Sequence, residues 1–161
     1  MEPTSSTQDS TRQSASNPGS LESVRRRRAE LRESMSALER ALAAPPAADH
    51  RHWPDRVRDA LGDLSGDFET HIEITEGPDG LYHELLGMAP RLSDAVAHLT
   101  KEHGEIKTLL AEVLASVSVP DTDVQRVREQ ATTLLGRLVR HRQRGSDLVY
   151  EAYEVDIGGD T

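Results

Sequence analysis

Four stretches of this chain place apolar residues at alternating steps of three and four, and proline or glycine closes each of them off. The clearest runs from Leu134 to Val155, with the seam Leu134, Leu138, His141, Gly145, Leu148, Ala152, Val155. That spacing keeps one stripe of an α-helix turned toward its neighbours. The first stretch, residues 21–43, has the seam Leu21, Val24, Arg28, Leu31, Met35, Leu38, Leu42, and Pro45 and Pro46 break it. The second starts near His52, tolerates Pro54 in its first turn, and continues Trp53, Val57, Leu61 (or Ala60), Leu64, Phe68, His71, Thr75. The GPDG of residues 77–80 is a turn signal; residues 81–88 then make a short helix that Pro90 ends. The third long stretch, 92–117, reads Leu92, Val96, Leu99, His103, Ile106, Leu110, Val113, Val117, and Pro120 and Asp121 turn the chain into the last. Four amphipathic segments with short connections predict an all-α, antiparallel up-and-down four-helix bundle over residues 21–157.

Composition agrees and excludes much else. Aromatic residues are only 3% of the chain, so the core is filled by aliphatic side chains on helices rather than by strand residues. Residues 1–20 are Ser, Thr, Gln, Asn and Pro with almost nothing apolar, and read as a disordered tail; residues 158–161 read as a loose C-terminal tail. There is no cysteine, which removes disulfides, zinc–thiolate sites and thiol catalysis. The formal charge of −9 argues against nucleic acid as a partner. No apolar run has membrane-spanning length and no hydrophobic signal core stands at the N-terminus, so a cytoplasmic protein without a membrane partner is expected.

Each seam contains one polar residue where an aliphatic one belongs: Arg28, His71, His103, His141. At about 1.5 Å of rise per residue, their heights can be compared from the turns. His103 lies 17 residues before Pro120 and His141 lies 21 after it, a match to within about one helical turn. Arg28 and His71 match similarly about the first connection. His71 and His103 share a level only if residues 81–88 extend the second arm; stacked under the third helix, they would push the two histidines apart. Three imidazoles at one level of an apolar bundle suit a transition ion, since neutral imidazole binds Zn, Fe, Cu and Ni.

The order of these motifs resembles the hemerythrin, or HHE cation-binding, family. The matching segments are RAEL at 28–31, HIEITE at 71–76, KEHGEI at 101–106 and HRQRGSD at 141–147. The resemblance spans residues 21–155 and implies a cation held inside the bundle by inward histidines and carboxylates. On it, the candidate ligands are His71, His103 and His141, completed by Glu76, Asp147 or water, with Fe or another divalent transition metal as the ion. The chain departs from the family pattern at Arg28, where a histidine is expected, at Thr75, where a bridging carboxylate is expected, and at Gly145, one turn after His141. Three readings therefore stay open. The bundle holds a metal ion in a binding or sensing role. Or it holds none and serves as a structural or interaction module, with Arg28 paired to Glu76, Glu102 or Asp147. Or it takes a small anionic ligand near Arg28.

The remaining features have plainer readings. The basic run 25–28 lacks interleaved aromatics and reads as a solvated helix face. Arg140, Arg142 and Arg144 read as surface pairs to the acids of the third helix. His50, His52 and His83 read as exposed, and Tyr150 and Tyr153 as packing residues. Gly62 and Gly66, one turn apart, offer a place where a neighbouring helix could approach closely. No nucleophile–base–acid set and no phosphate-binding loop is present, so an enzyme is expected only through a metal.

Overall fold

The computed structural model describes residues 21–46 and 52–158, with side chains from Glu22 to Pro46 and from His52 to Tyr153. The polar N-terminal segment, His50 and the Val155 side chain lie outside the described residues. Five α-helices follow in order: α1 (Leu21–Ala43), α2 (Trp53–Glu76), α3 (Leu81–Met88), α4 (Ser93–Val117) and α5 (Val124–Gly158), with a 3₁₀ turn Pro90–Leu92 leading into α4. The four long helices make an up-and-down bundle, α1 packed on α2, α4 on α5 and α2 against α4. The boundaries fall where the prolines and the GPDG turn place them, except that α5 continues to Gly158. Among the described residues, no helix is long and apolar enough to cross a membrane.

The core is divided into two clusters. One holds Leu31, Met35, Leu38, Leu64, Phe68, Ile106, Leu110, Leu134 and Leu138 among others. The second holds Val24, Ile74, Leu81, Tyr82, Leu85, Leu99, Leu148 and Ala152. On every long helix the polar residue of the seam falls between the last member of one cluster and the first of the other: Arg28 between Val24 and Leu31, His71 between Phe68 and Ile74, His103 between Leu99 and Ile106, His141 between Leu138 and Leu148. These four polar residues therefore form a layer between the two clusters. The short helix α3 closes the end beyond it, burying Leu81, Tyr82 and Leu85 in the second cluster. It packs mainly on α2 and α5, and His71 and His103 stand level, their rings 5.1 Å apart.

Gly62 and Gly66 do not mark a close helix crossing. Both are exposed, and a Cβ at either would meet nothing within 4 Å. Gly104 and Gly136 are likewise exposed and open. Each costs helix stability without a packing return, so Gly62→Ala with Gly66→Ala should raise stability by up to about 1 kcal/mol per site. Urea denaturation reads this directly; an unchanged or lower midpoint would disprove the packing assignment.

Candidate metal centre

Three helices each send one imidazole into the polar layer. His71 comes from α2, His103 from α4 and His141 from α5, and they are only 5%, 2% and 1% exposed. Their ring centroids are 4.7 to 5.4 Å apart. His141 is the hub: its Nε2 is 3.0 Å from Nε2 of His103 and 3.3 Å from Nε2 of His71. Phe68, on the same face of α2 as His71, stacks on that ring at 5.8 Å and meets the other two edge-on. Tyr82 of α3 lies parallel to His103 at 5.9 Å, its hydroxyl 3.5 Å from Nε2. Among the described residues, these three histidines are the group whose ligand atoms could share one ion.

Carboxylates stand behind two of the three rings. Glu76 Oε2 is 2.5 Å from Nδ1 of His103, and Glu102 Oε1 is 3.3 Å from Nδ1 of His141. Arg144 donates to the other oxygen of Glu102. Carboxylate oxygens accept, so the proton of each neutral imidazole belongs on Nδ1 and the lone pair on Nε2. The Nε2 atoms of His103 and His141 then face each other at 3.0 Å, lone pair to lone pair, with no proton of their own between them. Such a pair calls for something positive in the middle. Two nitrogen donors on one tetrahedral ion, at the usual metal–nitrogen distance, stand about 3.3 Å apart, close to the observed 3.0 and 3.3 Å. The donor set fits a single transition ion.

Burial keeps the rings neutral. His141 is held down to about 4 by desolvation first and by its neighbour His103 second; Glu102 pulls the other way and loses. Desolvation likewise lowers His103 despite the attraction of Glu76. His71 is lowered well below its ordinary range, by burial, by the two other imidazoles and by the guanidinium groups of Arg28 and Arg142. Neutral imidazole is the form that binds a metal.

The residues expected from the sequence are placed unequally. The three histidines come together. Glu76 is next to the group but touches His103 from behind, with 30% of its side chain exposed. Asp147 stays on the surface, accepting a hydrogen bond from Gln143 at 2.9 Å. Arg28 is paired with none of Glu76, Glu102 or Asp147: its Nη1 donates to Ser146 Oγ at 3.2 Å. The arginine network of the metal-free reading is thus not formed. Instead Arg28 and Gly145 explain one another. A Cβ at Gly145 would stand 3.0 Å from Arg28 Nη2, so the guanidinium lies in the space a side chain at that position would use. Thr75, at the third departure, turns its hydroxyl to the His71 carbonyl at 2.7 Å, satisfying itself within α2.

Tyr82 carries no signal in the sequence, and Arg142, expected as a surface charge, is half-buried; Arg144 does pair with an acid of α4 as expected, and the acid is the buried Glu102. Glu102 was seen only as a partner for Arg28. It sits one residue before His103, off the seam, and is nevertheless 5% exposed because α5 covers it. Its neighbour in sequence was the available signal.

A scan against protein families matches residues 21–153 to the hemerythrin HHE cation binding domain. No curated protein matches the chain, and no solved structure does.

Proposed function

Since the chain belongs to the hemerythrin HHE cation-binding family, we propose that it holds one divalent transition metal ion on Nε2 of His71, His103 and His141, as a binding or sensing bundle rather than as an enzyme. The observation that carries this is the 3.0 Å approach of two imidazole nitrogens whose protons are both engaged elsewhere. Glu76 and Glu102 act from behind, fixing the tautomer and orientation of His103 and His141 and making them better donors. Among the described residues no carboxylate reaches the imidazole nitrogens from the front, which favours one ion over a carboxylate-bridged pair. A bound ion would supply a positive charge and an open coordination position in a water-poor layer. Around it, Phe68 and Tyr82 exclude solvent and Arg144 holds Glu102.

Nitrogen donors without thiolates suit Fe, Zn, Cu or Ni alike, so affinity alone does not choose among them. Protein purified from iron-supplemented growth should carry about one ion per chain by elemental analysis. Its melting temperature should fall on chelation and recover when the ion is returned; at a hundredfold excess over Kd the gain is about 2.7 kcal/mol. A chain that arrives empty and takes up neither Fe, Zn nor Mn would overturn the reading in favour of a metal-free interaction module.

A further inference from the structure

Two of the three imidazoles have an acceptor on Nδ1, and the third has none. Nδ1 of His71 is buried without a hydrogen-bond partner. The same is true of Nε of Arg142, the residue after His141. Both residues line a small, largely enclosed recess, together with Arg28, Thr75, Tyr82 and Gly145. Its free space is about 10 Å³, room for roughly one water-sized atom.

The charge around that recess is one-sided. Burial and then Arg142 lower the basicity of Arg28, burial and then Arg32 lower that of Arg142, and both guanidiniums act on His71. Among the described residues, no carboxylate pairs with either guanidinium. Arg28 has Ser146 alone, a neutral acceptor. Two half-buried guanidiniums without a counter-charge, beside an unpartnered buried nitrogen, are an incomplete arrangement. On the other two rings the corresponding place is filled by Glu76 and Glu102.

We propose that a small monovalent anion, chloride or one oxygen of a formate-sized carboxylate, occupies this recess and takes the third carboxylate's place on His71, held by Arg28 and Arg142. The proposal rests on the three-histidine metal reading and adds a coupling to it. With a metal on Nε2, His71 must carry its proton on Nδ1, which then needs an acceptor. Without a metal, Nε2 of His71 can donate to His141 across their 3.3 Å contact, and Nδ1 becomes an acceptor with no use for an anion. Metal and anion therefore favour the same tautomer, and each should strengthen the other by the same factor.

The test measures Zn affinity by competition with a chromophoric chelator at fixed pH and ionic strength. Chloride and formate, in separate arms, replace a large poorly coordinating anion such as perchlorate. The expected result is a tighter Zn complex in at least one arm, on the order of 5–150-fold. In Arg142→Gln and in Arg28→Gln, each checked for unchanged helical content, that gain is lost while Zn still binds in perchlorate. Which arm responds identifies a halide or a carboxylate as the occupant. Zn affinity that ignores the anion, or a gain that survives in both variants, overturns the anion site and leaves the metal reading standing; the recess then holds a water only. No Zn uptake in any arm overturns the metal reading itself, and the coupling with it.

Discussion

Replacing His141 with leucine is expected to abolish metal uptake while leaving the bundle folded and, in the metal-free state, at least as stable. The two halves of this result have different causes. His141 is the only imidazole within hydrogen-bonding distance of both others, at 3.0 and 3.3 Å, so its loss leaves two donors with no common centre. The structural half follows from its place in the seam. Leu138 and Leu148 flank it in α5, fully or nearly fully buried, and leucine suits that environment better than a desolvated imidazole. Glu102 keeps Arg144 as a partner when His141 is gone, so no buried carboxylate is orphaned. The milder Glu102→Gln should weaken binding by about 10–100-fold, the range expected for a partner that orients a ligand from behind. Chelator competition ranks the three proteins as wild type, then Glu102→Gln, then His141→Leu. If His141→Leu still binds as tightly as wild type, the ion does not sit on these histidines.

Much of this site could be read before the fold was known, for a definite reason. The polar residues that matter lie on the same faces as the leucines, so the periodicity that predicts the helices also predicts which histidines point inward. Arg28, His71, His103 and His141 are each spaced three or four residues from an apolar seam neighbour. What periodicity cannot carry is depth off the seam. Glu102 looks like one more solvated acid until α5 covers it, and Arg142 like one more surface base until it lines the recess beside Arg28. Tyr82 belongs to α3, whose docking had two possible arrangements in sequence terms. Gly145 shows a subtler limit. In the sequence it is a missing acid and Arg28 a missing histidine, two separate departures from the family pattern. In the fold they are one exchange, a guanidinium reaching from α1 across the space left on α5.

The metal-free protein is expected to lose stability steeply as pH falls through the range from about 6.5 to about 4. In the unfolded chain the three imidazoles take up protons near their ordinary value. In the fold they do not, because desolvation outweighs the attraction of Glu76 and Glu102. Between the two values the unfolded state binds more protons than the native state, so stability falls as pH falls. Each histidine contributes a slope of about 1.4 kcal/mol per pH unit while its window lasts. For His141 the window closes near 4 and the accumulated loss is about 3 kcal/mol; His71, also held well below its ordinary range by burial, adds to the loss in the same direction. Above about pH 7 the three contribute no slope, and the acid-side loss is not recovered by screening with salt, because its main cause is burial rather than surface charge. Urea midpoints of chelator-treated protein from pH 8 to pH 4 test this, with His141→Leu as the comparison, in which the slope should be shallower by one histidine. Equal slopes in the two proteins would mean that His141 enters solution before the fold is lost, and that the three-imidazole layer opens under conditions in which the bundle remains intact.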